Sequence, residues 1–351
     1  MTNHAIRLAG AATLTATLLG GTAALAQADG ATVAFLMPDQ GSTRYEEHDY
    51  PGFQAAMTEL CPTCTVIYQN ATADVALQQQ QFNSVISQGA QVIVLDPVDS
   101  TAAASLVQMA HDQGIKVIAY DRPIPDQPAD FYVSFDNQGI GAAIAQSLVD
   151  KLKADGVPEG AGVLQINGSP TDAAAGLIRD GVDSALDASG YTTLAEFDTP
   201  DWVPANAQEW TSGQITRFGD DIVGIVAAND GTGGGAIAAL KAAGVDPVPP
   251  VTGNDATTAA LQLIIAGDQY NTISKPSEIV ARAAAEVAIQ LLNGETPEAS
   301  TTLYDTPSQL FVPAVITRDN IKAEIFDKGI ASAADVCTAE YAEACAELGI
   351  Q

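Results

Sequence analysis

Seven apolar runs of this sequence end in acidic, amide or basic residues that could hydrogen-bond a hydroxylated ligand. The runs are VAFLMPD with Asp39, TVIYQN with Asn70, QVIVLDP with Asp96, KVIAYDR with Asp121 and Arg122, GVLQING with Asn167, IVGIVAAND with Asn229 and Asp230, and VTGND with Asn254 and Asp255. Carboxylates accept hydrogen bonds, whereas guanidinium and amide groups donate them. Few nucleophile–base pairs occur among these residues, so the set predicts a site that holds a polyol and does not transform it.

The elements that must position these residues are parallel strands. The apolar runs are rich in Val and Ile and alternate with alanine-rich stretches, a pattern typical of βαβ units whose strands are buried on both faces. Helices are predicted at residues 45–60, 74–88, 100–113, 138–153, 172–188, 205–218, 232–243, 256–266 and 276–293. In an open parallel sheet, ligands bind outside the carboxyl ends of the strands.

The number of predicted strand–helix repeats indicates the domain organisation. Two doubly wound α/β lobes fit the pattern better than one sheet of about ten strands. Crossings between the lobes are predicted near residues 136–138, 270–274 and 310–315. The predicted N-terminal lobe comprises residues 31–137 and 273–311, and the C-terminal lobe comprises residues 138–272 and 312–351. A three-crossing hinge would join them.

The net charge limits the possible ligands, and the N-terminal segment predicts where the protein acts. The 43 acidic residues outnumber the 14 basic ones, giving a net charge of −29. This balance argues against nucleic acid and anionic membrane surfaces, which attract clustered Lys and Arg. Arg7, the apolar residues 8–19 and the A-L-A sequence at 24–26 predict a signal peptide cleaved after Ala26. The mature protein is expected to be exported without a lipid anchor.

The four cysteines are expected to form disulfides in an oxidising compartment. Cys61 and Cys64 have redox-site spacing, but they follow a predicted helix, whereas redox chemistry favours a helix N-terminus. A structural disulfide is therefore the preferred interpretation. Cys337 and Cys345 are the natural second pair. In a continuous helix they would lie about 12 Å apart, so the chain must turn between them if they pair.

Other chemistries fit the residues less well. The sequence GTGGG at 231–235 resembles a dinucleotide loop, but Ala236 fills the last glycine position, so a tight strand-to-helix turn is preferred. No Walker loop is present, and the three histidines are not accompanied by a G-x-S-x-G elbow. A glycosidase is left open, because carboxylates are plentiful. No cofactor or metal is predicted.

A sugar-binding site accounts for more of the residues. Taken alone, each of Asp121, Arg122, Asn229 and Asp255 would more often be a turn or cap residue, so the argument depends on their shared location. Asn70, Asp96 and Asn167 are expected to be turn and cap residues around the cleft. Trp202 lies in the loop PDWVP, where it could cover the apolar face of a sugar or serve as a core residue. The pair Arg44-Tyr45 follows the first strand, and a plain helix start is its alternative interpretation.

Seven stretches in order are similar to one known family. They are AYDR at 119–122, DFYVSFDN at 130–137, GSPTD at 168–172, WVPANA at 202–207, AND at 228–230 with GGAI at 234–237, GNDA at 253–256 and KP at 275–276. The mature chain resembles the periplasmic monosaccharide-binding proteins of ABC transporters, particularly the D-xylose-binding proteins. The resemblance implies a type I periplasmic-binding fold.

The resemblance also implies the residues that contact the sugar. They are Arg44, Tyr45, Asp121, Arg122, Asp172, Trp202, Asn229, Asp255 and Lys275. The family usually has Asn two positions after Asp172, and this chain has Ala174, which puts the identity of the sugar in question. The family often has Gln at the position of Asn254. The implied mechanism is closure of the hinge around a monosaccharide, which the protein delivers to a membrane permease.

Several alternatives stay open. The ligand could be glucose, arabinose, galactose or another aldose in place of xylose, or the chain could be a sugar-active enzyme of the same architecture. A sugar-responsive repressor shares the fold, but it would carry an N-terminal helix-turn-helix where this chain has a signal peptide. A chemoreceptor or sensor could be a further partner. The protein is expected to be a monomer.

Overall fold

The computed structural model describes residues 1–2 and 28–351. The predicted signal peptide, including Arg7 and the cleavage site after Ala26, falls on residues 3–27 and lies outside the described residues. Within the described ranges, no helix combines the length and apolar character that crossing a membrane requires.

The strands of the described chain form two separate groups. They are β1 (Thr32–Met37), β2 (Thr65–Asn70), β3 (Val92–Leu95), β4 (Lys116–Tyr120), β5 (Phe131–Phe135), β6 (Gly162–Asn167), β7 (Thr192–Asp198), β8 (Ile222–Ala227), β9 (Asn271–Ser274), β10 (Thr301–Leu303), β11 (Thr306–Phe311) and β12 (Ala314–Thr317). Seven of them form the first sheet in the order β10-β11-β5-β4-β3-β1-β2. All of its pairs are parallel except β10 with β11.

The second group contains two smaller sheets. The parallel sheet β7-β6-β8 lies beside the antiparallel pair β12-β9. Val251 connects them, because it forms a parallel bridge with Ile225 of β8 and its carbonyl accepts from the amide of Tyr270 just before β9. The sequence-based prediction of two α/β lobes is confirmed by this arrangement.

The predicted helices are present, with ends that differ by at most three residues. A π-helical turn, Tyr45–Asp49, leads into α1 (Tyr50–Leu60). It is followed by α2 (Val75–Ser87), α3 (Ala103–His111), α4 (Asn137–Ala154), α5 (Ala173–Asp187), α6 (Pro204–Phe218), α7 (Asp230–Ala242), α8 (Thr258–Ala266), α9 (Ser277–Leu292), α10 (Ala333–Val336) and α11 (Ala342–Glu347).

The central strands are apolar throughout because helices cover both faces of the sheet. Along β3, Val92 and Val94 face the core that includes residues of α1 and α9, whereas Ile93 and Leu95 face the core formed with α2 and α3. The four side chains are fully buried. Successive strand residues point to opposite faces, so an unbroken apolar run is what a sheet between two helix layers requires.

The predicted strand VTGND is wrong beyond its first residue. Only Val251 pairs with a neighbouring strand. The following backbone is held by side chains: Thr252 Oγ1 bonds both the amide and the carbonyl of Ala227, and Asn271 Oδ1 accepts from the amide of Gly253. These bonds take the place of a regular ladder and leave the segment irregular.

The chain passes between the two groups of strands at three places. They lie between β5 and α4, between β9 and α9, and between β11 and β12. The second crossing comes at residues 275–276, because β9 pairs with β12. The predicted lobe boundary at residue 273 therefore falls inside β9. The exact division of the chain between the lobes stays a prediction.

Both cysteine pairs form disulfides. Cys61 and Cys64 connect the end of α1 to the start of β2, and their Cα atoms lie 5.3 Å apart. Cys337 and Cys345 have a Cα–Cα distance of 6.0 Å because a turn separates α10 from α11. The turn shortens the distance that a continuous helix would impose.

Two glycines allow α4 and α5 to pack backbone against backbone. A Cβ atom at Gly141 would lie 1.9 Å from the carbonyl oxygen of Ile178, and one at Gly181 would lie 2.1 Å from that of Gln138. Only glycine permits such a close approach. The middle of α5 is therefore held firmly against α4.

Candidate functional site

A largely buried cavity lies between the two groups of strands, at the carboxyl ends of the parallel strands. It is lined by all nine residues predicted to bind a ligand: Arg44, Tyr45, Asp121, Arg122, Asp172, Trp202, Asn229, Asp255 and Lys275. Five further residues complete the lining: Ser42, Asn137, Ala174, Ile178 and Asn254. The cavity thus brings together side chains from most of the chain length, as the strand-end pattern predicts.

Arg122 contacts carboxylates from three different segments. It follows β4, and its Nη2 atom lies 2.7 Å from Asp39 Oδ2. Its Nε atom lies 3.2 Å from Asp172 Oδ2 and 3.5 Å from Asp96 Oδ1. Its Nη1 atom donates to the carbonyl of Pro97 at 3.1 Å. Arg122 is 4% exposed, so these contacts hold the guanidinium in a fixed orientation away from bulk water.

Arg44 and Asp121 form the second charged pair of the cavity. Arg44 Nη2 makes a short contact with Asp121 Oδ2, and its Nη1 atom lies 3.3 Å from Asp49 Oδ1 and 3.1 Å from Ser277 Oγ. The Tyr45 hydroxyl donates to Asp121 Oδ2 at 3.1 Å. Burial alone would raise the pKa of Asp121, but the charges of Arg44, Lys275 and Arg122 outweigh it and hold the pKa well below its usual range.

The backbone at Asp121 is also unusual. Its φ of 58° lies in the left-handed region, which aspartate tolerates better than most residues. The Asp121 carbonyl accepts hydrogen bonds from the Tyr132 hydroxyl at 2.7 Å and the Ser134 hydroxyl at 2.9 Å, both from β5. These bonds fix the turn that directs the Asp121 and Arg122 side chains towards the cavity.

Trp202 and Asp172 form the wall contributed by the second lobe. Asp172 is the N-cap of α5: its Oδ1 atom accepts from the amide of Ala174 at 2.8 Å, and its Oδ2 atom accepts from Trp202 Nε1 at 3.0 Å. A Cβ atom at Gly168 would lie 2.1 Å from the indole ring, so the backbone there approaches the ring as only glycine allows. Trp202 is buried and also lines the cavity, and its contact with a sugar stays a prediction.

Asn229, Asp255 and Lys275 close the cavity from β8 and the strand ends beside it. Asn229 caps α7, and its Oδ1 atom accepts from the amide of Thr232 at 2.9 Å. Lys275 Nζ lies 2.9 Å from Asp255 Oδ1, and both side chains are at most 8% exposed. Asp255 has a φ of 106°.

Asp230 lies behind this wall and supports it. Its carboxylate accepts from the amide and hydroxyl of Thr257, from the hydroxyl of Thr272 and from Gln269 Nε2. Burial and the nearby charge of Asp255 raise the pKa of Asp230 to about 7. The four donors fix the loop that carries Asp255.

The strand-end residues outside the cavity have different roles. Asn70 is a turn residue, as expected, because its Oδ1 atom accepts from the amide of Thr72. The interpretation of Asp96 as a turn or cap residue is wrong. It is fully buried beside Arg122, and neither carboxylate oxygen has a hydrogen-bond partner among the described residues. Burial raises the pKa of Asp96 well above its usual value.

Sequence reasoning assigned no ligand contact to Ser42, Asn137 or Ile178. Asn137 stands one residue beyond Asp136, directly after β5, so the strand-end rule could have found it. Ser42 lies in a loop, and Ile178 has the spacing of an ordinary core residue in α5. Nothing in the sequence distinguishes these two from structural residues.

The cavity lining contains paired charges that are held in place by their partners. Asp121, Asp172 and Asp255 each have a cationic partner within the cavity lining. Carboxylates held in this way can still accept from hydroxyl groups, while the partner cations donate to hydroxyl oxygens. Among the residues that the structure describes, no cluster of His, Cys, Asp and Glu could hold a metal ion.

Two α/β lobes, three crossings and a polar cavity between the strand ends define a class of two-lobed ligand-binding proteins. Residues 33–296 match the family model described as "Periplasmic binding protein domain". The chain belongs to this periplasmic binding protein family, and its fold is the type I form.

Individual relatives agree with this assignment. The chain is 37% identical over 272 residues to the D-xylose-binding periplasmic protein of Escherichia coli (strain K12), covering 75% of this chain and 81% of that protein. It is 31% identical over 333 residues to the multiple sugar-binding periplasmic receptor ChvE of Rhizobium radiobacter, covering 86% and 91%. An ABC transporter solute-binding protein from Clostridium phytofermentans, solved with bound β-D-glucose, has a TM-score of 0.79 at 25% identity, covering 87% of this chain and 99% of that one.

Proposed function

We propose that this protein is the substrate-binding component of an ABC sugar importer and that it binds D-xylose in the cavity between its lobes. One observation carries the proposal: nine charged, amide and aromatic side chains from both lobes line a single, largely buried cavity. The similarity to D-xylose-binding and multiple sugar-binding periplasmic proteins supports the choice of ligand class.

Each residue has a role in the proposed complex. Asp121, Asp172 and Asp255 accept hydrogen bonds from sugar hydroxyls. Arg44, Arg122, Lys275 and Asn229 donate to hydroxyl oxygens, and Tyr45 contributes its hydroxyl or ring edge. Trp202 covers the C–H face of the sugar ring, since aromatic faces suit that apolar surface.

The contacts between the lobes support a mechanism of hinge closure. The Ser100 amide donates to the carbonyl of Thr171 at 3.0 Å, and the Ala173 amide donates to Ser100 Oγ at 3.1 Å. Together with the pair of Arg122 and Asp172, these bonds join the N-terminus of α5 to the first lobe. A sugar can enter only when the lobes separate, because most of the cavity residues, including Arg44, Arg122 and Trp202, are buried in this closed form.

The wider assignment follows from this mechanism. The signal peptide directs the mature chain to the periplasm, where it acts as a monomer and presents the closed form to the membrane permease. The proposed lobes comprise residues 31–137 with 276–311 and residues 138–275 with 312–351, once the predicted boundary at residue 273 is moved to the crossing at 275–276. Presentation of the sugar to a chemoreceptor or sensor is compatible with the same closed form.

A melting-shift panel tests the proposal. D-Xylose, arabinose, ribose, glucose, galactose and fucose are added separately, and product formation is followed in parallel. We expect a saturable rise in melting temperature that is largest with xylose, without turnover, because a ligand that binds only the folded state stabilises it. A response only to hexoses would rule out xylose, turnover would favour a sugar-active enzyme, and no response to any sugar would contradict the function.

The two tryptophans provide a matched test of the site. Trp202 lines the cavity, whereas Trp210 stacks on Phe197 with ring centroids 5.3 Å apart, and the chain has no other tryptophan. Titration with xylose should change the intrinsic fluorescence of the wild type and of Trp210→Phe. In Trp202→Phe most of that change should disappear. If the fluorescence change disappears in Trp210→Phe and not in Trp202→Phe, the ligand binds elsewhere and the site assignment is contradicted.

A further inference from the structure

Two apolar side chains interrupt the polar lining of the cavity. Each of the other twelve lining residues carries a hydrogen-bonding side chain, but Ala174 and Ile178 carry none. They are 6% and 3% exposed, respectively. They stand four residues apart in α5, so they lie one above the other on the same helix face. We call this surface the apolar wall.

Two donors beside the apolar wall are already engaged with Asp172. The amide of Ala174 already donates to Asp172 Oδ1, and Trp202 Nε1 donates to Asp172 Oδ2. The close packing at Gly141 also leaves no room for α5 to move towards α4, because the backbones are already in contact. The apolar wall is therefore a fixed feature of the closed cavity.

We propose that Ala174 and Ile178 form a specificity-determining apolar subsite. A sugar hydroxyl on the ring carbon that faces α5 receives no hydrogen bond from the protein there. This inference depends on the proposed function. The ligand class it defines is an aldose with one hydroxyl, the one nearest α5, that the site does not hydrogen-bond and whose removal it tolerates. A hydroxyl buried against Ala174 and Ile178 lacks a partner, whereas hydroxyls at the other ring positions meet charged groups.

The physical consequence is uneven discrimination around the sugar ring. A site that hydrogen-bonds a hydroxyl strongly rejects the analogue that lacks it, because the protein group is left buried and unpaired. An apolar surface has no such group to leave unpaired. Removal of the hydroxyl that faces α5 should therefore cost little affinity, while removal of any other contacted hydroxyl should cost much.

Calorimetric titration of monodeoxy analogues tests the inference. The parent sugar is the aldose of the panel that binds most tightly, which we propose to be D-xylose. The probes are this sugar and each of its monodeoxy analogues. We expect one analogue to bind within about 5-fold of the parent or more tightly, and the others to bind at least about 50-fold more weakly. If all the analogues are weakened by about 50-fold or more, the inference fails while the sugar-binding function stands. If no aldose binds, the proposed function itself fails.

Two variants then locate the tolerant position on the protein. Ala174→Asn and the smaller Ala174→Ser place a hydrogen-bonding group on the apolar wall. In each variant, the affinity for the parent sugar divided by the affinity for the tolerated analogue should rise by at least about 10-fold. The corresponding ratios for the other analogues should stay unchanged. Gly176→Ser is the control, because a Cβ atom there meets nothing within 4 Å. An unchanged ratio in the Ala174 variants, or an equal change in the control, would contradict the assignment.

Discussion

Replacement of Arg122 by methionine is expected to lower the free energy of unfolding by about 3–5 kcal/mol and to abolish xylose binding. The guanidinium lies within 2.7–3.5 Å of Asp39, Asp172 and Asp96, all of them buried. Methionine is of similar length and preserves much of the packing. The substitution therefore mainly removes the positive charge and leaves three buried carboxylates without their shared partner.

The deficit of this variant should depend on pH in a definite direction. Burial already raises the pKa of Asp96 in the folded protein, and loss of the Arg122 charge would raise it further. A carboxyl with a folded pKa above its unfolded value favours the fold at low pH and loses that contribution as the pH rises through the folded pKa. The variant should thus be closer to the wild type at pH 5 than at pH 8.

Two further substitutions make the Arg122 prediction specific. Asp96→Asn in the Arg122→Met background should recover part of the lost stability, because it neutralises a carboxylate that has no hydrogen bond of its own. Arg282→Met is the matched control, since Arg282 pairs with Glu59 on the exposed surface and should cost about 0–1 kcal/mol. Urea unfolding at both pH values measures all four proteins. If Arg122→Met unfolds at the same urea concentration as the wild type, the role assigned to the charges around Arg122 is contradicted.

The location of the site could be predicted from the sequence because parallel strands impose a common geometry. Apolar runs that end in Asp, Asn or Arg must place those ends at one edge of each sheet. Asp121, Arg122 and Asn229 reach the cavity in this way. Arg44 was a candidate because it follows the first strand. Asp172 and Lys275 stand at a helix start and at a crossing, and only the family resemblance pointed to them.

Other parts of the site depend on distances that no local pattern encodes. Asp96 looks like any polar residue after a strand, and its burial beside Arg122 arises from the packing of two turns. VTGND has the composition of a short strand, but the hydrogen bonds of Thr252 and Asn271 hold it in an irregular form. Ile178 has core spacing, and only the placement of α5 brings it to the cavity wall.

The second large effect is expected at Asp255, where alanine should eliminate the xylose-induced melting shift. Asp255 is the ion-pair partner of Lys275 at 2.9 Å, and both side chains are buried. Its loss removes an acceptor for a sugar hydroxyl and leaves the ammonium group unpaired, which we expect to weaken binding at least about 100-fold. A ligand present at 100 times its Kd stabilises by about 2.7 kcal/mol, and a 100-fold weaker Kd reduces this to about 0.4 kcal/mol.

The backbone at Asp255 calls for a second variant, because its φ of 106° disfavours alanine. Asp255→Asn suits the same conformation and removes only the charge, so it should fold normally and lose most of the melting shift. Asp268→Ala is the control: Asp268 also pairs with a lysine, Lys241, but on the surface. Differential scanning fluorimetry with and without xylose compares the three. A full shift in Asp255→Asn would show that the carboxylate charge does not contact the sugar, whereas loss of the shift in Asp268→Ala would show that the assay responds to stability alone.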